Sequence, residues 1–294
     1  MTRGSLTGAA FAVTAALLFG SAIPSSKVLL GDLNVFLLTG LLYGGSVIGL
    51  VIAGPILRRL QLLTAAPLRR GEWRWLAGSV LAGGLAAPLL LLLGLDWTPA
   101  STAGLLMNFE APLTAVFAAL VFGEHVGRRV IFGIAAITVG AALISWQGSA
   151  DTNGWLGPLV VVGSAVAWAL DNNIVRRIAH TDPVRLATIR ASVATALYLA
   201  IAFATGHSLP ALPVLAQCMV LGLFGYGLAL TLFFLSLRYI GAARAAAFFA
   251  AGPFVGAMGG IAALGEPLTL AFVATAACML LGIWLVLSAG TAHT

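Results

Sequence analysis

The run LTGAAFAVTAALLFGSAIPSSKVL, residues 6 to 29, carries one charge, Lys27, among twenty-four residues. As a helix it would rise about 36 Å, enough to cross the roughly 30 Å hydrocarbon layer of a bilayer. Outward from it, comparable apolar runs lie near 35 to 55, 74 to 94, 100 to 122, 129 to 147, 154 to 177, 183 to 204, 213 to 236, 241 to 264 and 268 to 289. Glycine, proline and charged pairs separate them. The fold class is therefore an all-α polytopic membrane protein of ten transmembrane helices with no soluble domain. Of the 294 residues 61% are hydrophobic and only 8% charged, with a mean hydropathy of +1.06, which a water-soluble core cannot hide. The alternating polarity of a membrane barrel is not visible.

The same run recurs. Phe19 and Trp168, Lys27 and Arg176, and Thr39 and Thr188 pair at a spacing of 149 residues, so helices 1 and 2 match helices 6 and 7. Gly83 and Gly225, Leu95 and Leu237, Glu124 and Glu266, and Gly140 and Gly282 pair at 142, matching helices 3 to 5 with helices 8 to 10. Five helices is an odd number, so the second copy must enter the membrane from the opposite side. The expected organisation is two inverted five-helix repeats, 1–150 and 151–294, around a central cavity. Gly252, Gly256 and Gly260 in helix 9 match Ala111, Ala115 and Ala119 in helix 4 at a spacing of 141. Small residues at that period predict close packing of the two helices. Pro112 and Pro253 occupy matching places and predict bends, because each removes a backbone hydrogen bond.

Charge placement supports an even number of spans. Thirteen of the fifteen basic residues fall on one face in a ten-helix reading, leaving Lys27 near the other and Arg190 inside helix 7. Excess arginine marks the cytoplasmic side, so both termini are expected in the cytoplasm of a multi-pass protein of a bacterial inner membrane. The net charge of +6 does not signal nucleic acid, because the cations sit in short loops rather than on a folded basic face. Cys218 and Cys278 lie within apolar runs with no metal-site spacing, which reads as buried packing.

LFGS (18 to 21) and AWAL (167 to 170), with the endings Pro112 to Gly123-Glu124 and Pro253 to Gly265-Glu266, resemble the ten-helix drug/metabolite transporter superfamily, EamA type, over nearly the whole chain. Within it the chain looks like the YddG group of amino-acid exporters. The resemblance implies a cavity lined mainly by helices 1, 3, 4, 6, 8 and 9, with helices 5 and 10 peripheral, and it implies export. Helix 1 has no acidic residue, unlike the small multidrug exporters.

Ionisable groups inside a span are costly and face a cavity or a partner. Glu110, midway along helix 4 beside Asn108, reads either as a contact for a substrate ammonium or a carried proton, or as a hydrogen-bonded structural carboxyl. Asp171 and Arg190, on successive helices, read as a structural ion pair, with substrate contact as the alternative. Asn172 and Asn173 offer amides that both donate and accept. Trp168, Tyr226, Phe248 and Phe249 offer stacking surfaces, whereas Tyr43, Phe233 and Phe234 read as core or lipid-facing aromatics. Ser21, Pro24 and Ser25 interrupt the apolar run of helix 1 and are candidates for the same space. Glu124 and Glu266 read as helix-end contacts.

Nothing in the spacing of residues signals an enzyme, a metal site, a cofactor or a phosphate loop. The expected partners are a small-molecule substrate and the lipid bilayer, without nucleic acid. The expected function is secondary transport of small neutral or amphipathic metabolites by alternating access, facilitated or proton-coupled through Glu110. Amino acids, aromatic ones included, are the leading substrates; the alternatives are a multidrug or other metabolite carrier and a passive channel.

Overall fold

The computed structural model describes residues 3–59, 68–122, 127–146, 154–178, 180–240, 245 and 248–290. They are almost entirely helical. Helix α1 is Arg3–Leu30 and α2 is Val35–Arg59. The rod α3, Arg70–Trp97, contains a π-helical segment, Val80–Ala86. Helix α4 joins Ala100–Leu106, the 3-10 turn Met107–Phe109 and Glu110–Phe122. Helices α5, Arg128–Trp146, α6, Leu156–Arg176, and α7, Pro183–Ala204, follow. Helix α8 joins Leu212–Leu221, the π-helical segment Gly222–Leu228 and Ala229–Ile240. Helices α9, Gly252–Leu264, and α10, Leu270–Gly290, close the chain. Among the described residues seven helices are long and apolar enough to cross a membrane; Gly252–Leu264 and Leu270–Leu285 are shorter apolar helices. The molecule is thus a polytopic membrane protein in which each helix satisfies its own backbone, as hydrocarbon requires.

The two π-helical segments begin 142 residues apart, at Val80 and Gly222, the spacing of the sequence repeat in that region. Packing follows the repeat too. Helix α1 packs on α8 and α9, as α6 packs on α3 and α4, and α2 packs on α8, as α7 packs on α3. The pairs α2/α7, α4/α9 and α5/α10 pack on each other. The main apolar core runs from Leu38 and Leu42 through Leu91, Leu105 and Leu106 to Ile137 and Met279.

Two ends of the bundle are distinct. At one, Lys27 Nζ donates to the carbonyls of Leu95 (2.6 Å) and Asp96 (2.9 Å) at the C-terminus of α3. There the Glu266 carboxylate also accepts the N–H groups of Ala100 and Ser101, both at 2.7 Å, at the N-terminus of α4. A cation at a helix C-terminus and an anion at an N-terminus both oppose the local dipole. At the other end, Arg58 pairs with Asp182 at 3.0 Å, Glu72 meets His180 at 3.4 Å, and the Arg74 and Arg177 guanidinium groups lie over the Trp75 ring. Glu124, Arg244, His125 and His293 lie outside the described residues.

Helices α4 and α9 pack closely as expected, but of the glycine stripe of α9 only Gly260 faces α4. Gly252 and Gly256 face Ala16, Gly20 and Ile23 of α1, whereas α4 meets α9 through Gly104, against Pro253 and Ala257, and through Gly260, against Ser101. Sequence period identifies a small face; it does not say which neighbour fills it. Gly20 supplies the matching flat spot on α1, since a Cβ there would strike the Gly252 carbonyl.

Candidate functional site

Between the bundles lies a cavity of about 280 Å³. Its aromatic wall comes from Phe19 of α1, Tyr43 of α2, Tyr226 and Phe233 of α8, and Phe249 just ahead of α9. Phe19 is the hub: its ring lies 6.1 Å from Trp168, 6.2 Å from Tyr226 and 5.5 Å from Phe249. Tyr43 stacks on Tyr226 at 5.8 Å and Phe233 on Phe249 at 4.6 Å. The edge-to-face and tilted arrangements set ring edges against ring faces, which stiffens the wall.

Helices α4, α6 and α7 form the other wall and bring its polar groups, Glu110 of α4, Asp171 and Asn172 of α6, and Arg190 of α7, beside the apolar Trp168, Val175, Ala187 and Ala191. Asn172 Nδ2 donates to Glu110 Oε1 at 2.9 Å and to Thr114 Oγ1 at 3.3 Å, while Asn173 donates to the Thr114 and Ala169 carbonyls. Arg190 Nη2 sits 2.7 Å from Asp171 Oδ2, and Ser79 donates to Asp171 Oδ1 at 2.5 Å. Asp171 is thus satisfied on both oxygens, as a buried carboxylate must be. The backbone of α3 comes close because residue 83 is glycine: a Cβ there would overlap Asp171 Oδ2 and Arg190 Nη2. Gly83 lies inside the π-helical segment, whose wider turn re-aims the helix at that point.

The two walls are repeat counterparts. Helices α3, α4, α6 and α7 exchange with α8, α9, α1 and α2. At the spacing of 149, Asp171 corresponds to Ala22 and Arg190 to Leu41; Gly225, the counterpart of Gly83, accordingly faces Ala22. One copy of the motif is charged and the other is apolar.

Of the residues expected at the site, Glu110, Trp168, Asn172, Tyr226 and Phe249 line the cavity, as do Asp171 and Arg190. Ser21, Pro24, Ser25, Asn108 and Phe248 do not. Ser21 and Ser25 stand on the exposed stripe of α1 with Leu6, Val13, Leu17 and Val28. Their hydroxyls donate to the Leu18 and Ser21 carbonyls, which makes serine tolerable on an apolar face. Pro24 packs against Gly259. Asn108 is buried, its amide donating to Met279 Sδ at 3.9 Å. Phe248 is 37% exposed. Pro112 follows the 3-10 turn Met107–Phe109, and Pro253 follows the turn at Ala250 and Ala251. At the second position of α9, Pro253 forfeits no helical bond. Phe19, Tyr43, Ser46 and Phe233 are lining residues that the sequence did not single out for the cavity. Tyr43 and Ser46 of α2 and Ala187, Arg190 and Ala191 of α7 contribute, and among the described lining residues none comes from α3, contrary to the six-helix expectation. The apolar pairing of Phe19 with Trp168 across the repeat was the available signal.

The sequence profile of the EamA-like transporter family matches residues 6–146 and 155–288. An uncharacterized transporter of Methanothermobacter thermautotrophicus is 25% identical over 288 residues, covering 93% of this chain and 84% of that protein. The uncharacterized transporter YvbV of Bacillus subtilis is 25% identical over 265 residues, covering 88% and 84%. A solved crystal structure superposes with a TM-score of 0.69 at 19% identity, covering 98% of this chain and 99% of that one, which is a likeness of fold.

Proposed function

The chain belongs to the EamA-like transporter family, and from that premise we propose that it is a secondary carrier of small amphipathic metabolites, with amino acids, aromatic ones included, as the leading substrates. The family is one of transporters rather than enzymes. The observation that carries the narrower reading is the cavity itself, with five aromatic rings on one wall and Glu110, Asn172 and Arg190 on the other. An apolar body with a polar end fits both walls at once.

Alternating access is the mechanism this arrangement supports. The repeat of packing and of π-helical segments fits two inverted five-helix units, with ten spans and both termini on the arginine-rich, cytoplasmic side of a bacterial inner membrane. Rocking of one bundle against its counterpart then opens the cavity to either side. Export is the direction implied by the likeness to amino-acid exporters.

Counterflow into liposomes containing the purified protein tests the reading: labelled phenylalanine accumulates when unlabelled phenylalanine is loaded inside. A passive channel gives no such trans-stimulation, and a broad drug carrier gives equal competition from unrelated amphiphiles. Absence of competable uptake for every amino acid tried would remove the amino-acid assignment. Glu110→Gln keeps the size of the side chain and the bond to Asn172 while deleting the charge. If Glu110 carries a proton, an imposed proton gradient accelerates the wild type and leaves Glu110→Gln unmoved; equal acceleration of both makes Glu110 a structural group.

A further inference from the structure

Among the described residues Arg190 is the one cation lining the cavity, and the other charged groups there are the carboxylates Glu110 and Asp171. Its guanidinium spends one corner on Asp171, yet a guanidinium has five N–H donors in a fixed fork. The Arg190 side chain keeps 17% of its surface accessible against 4% for Asp171. Ser79 holds Asp171 from behind, on the α3 side. Both side chains line the cavity and both lie against Gly83 of α3, but Asp171 has each oxygen engaged, by Ser79 and by Arg190, while Arg190 keeps the larger accessible surface. Glu110 shows a complementary picture, with Oε1 taken by Asn172 and Oε2 not engaged by any described side chain.

We propose that Arg190 is the specificity-determining anion contact of the carrier, reading the carboxylate of an amphoteric solute whose ammonium meets Glu110 and whose apolar body lies on Phe19, Tyr226 and Phe249. Asp171 and Ser79 act as positioning residues for that guanidinium. This assignment rests on the carrier reading above and goes past it, because an aromatic cavity alone does not distinguish an amino acid from the corresponding amine or amide. A forked donor in the cavity lining does distinguish them, since planar N–H pairs match a carboxylate and gain little from a neutral carbonyl. The asymmetry of the repeat agrees: Arg190 and Asp171 line the cavity, whereas their counterparts Leu41 and Ala22 are buried outside its lining, so a packing role common to both copies does not require the charges.

The test is competition against labelled phenylalanine in counterflow, using unlabelled phenylalanine, phenylalaninamide and phenethylamine. In the wild type phenylalanine competes at least about ten-fold better than either analogue lacking the carboxylate, as loss of a hydrogen bond to a charged group implies. In Arg190→Gln that preference collapses to within about two-fold, and Arg190→Lys, which keeps the charge but not the fork, falls between. A variant with slower uptake but an undiminished preference would overturn the assignment, because a purely structural arginine affects all three solutes alike. Should Arg190→Gln fail to fold, thermal protection of detergent-purified wild type decides: phenylalanine protects and phenylalaninamide does not, and equal protection by both overturns the proposal. A wild type that shows no counterflow brings down the carrier reading instead, while the protection experiment still tests the carboxylate contact.

Discussion

One methyl group at position 83 separates the two roles that glycine has in this chain. Gly83→Ala would push into Asp171 and Arg190, and overpacking of this kind costs about 1 to 3 kcal/mol. The expected result is a lowered melting temperature and a weakened preference for carboxylate-bearing solutes. Gly71→Ala, where nothing lies within 4 Å of the added carbon, serves as the neutral control; thermal unfolding in detergent and the competition assay measure both. At this scale Glu110, Asp171 and Arg190 were legible in the sequence because an ionisable group in a span has few inexpensive places to be. Ser21 and Ser25 misled for the opposite reason: a hydroxyl can satisfy itself on its own helix and face outward. Phe19, Tyr43 and Phe233 were opaque as wall residues, since aromatic rings suit lipid, core and cavity alike.

Helix ends carry the clearest contacts between segments distant in sequence. Glu266 follows α9 and holds the first two N–H groups of α4, so Glu266→Gln exchanges a charge-assisted contact for a neutral one, a loss of about 1 to 2 kcal/mol. Thr98 is buried beside that contact. In Glu266→Gln a cysteine placed at 98 should react with an impermeant maleimide about ten-fold faster than in the parent; an unchanged labelling rate would mean that the apolar packing of α1, α4 and α9 holds this end without the carboxylate. Helix positions were readable because apolar length is the dominant signal in a membrane protein. The π-helical segments were not, since they depend on which backbone must make room for which neighbour. Only their glycines, Gly83 and Gly84 in one and Gly222, Gly225 and Gly227 in the other, hinted at them.

For the whole molecule, the repeat spacing is the feature that sequence and packing share, and the proposed ten-span, inverted arrangement makes a direct prediction. Tags at the two ends should be accessible from the same side of the membrane, the arginine-rich one, in protease protection of intact and everted vesicles. Tags on opposite sides would break the inverted arrangement. The chemistry of the two walls was less legible than their existence, because the repeat relates positions and leaves identities free to diverge. Asp171 and Arg190 against Ala22 and Leu41 are that divergence.

Under the proposed rocking mechanism this divided cavity makes the cargo a mechanical part. A solute long enough to press its charged head on Arg190 and its ring on Phe19 would be a strut between the two sets of helices and would couple their swing. One the size of glycine reaches a single wall, so it would occupy the carrier without turning it over.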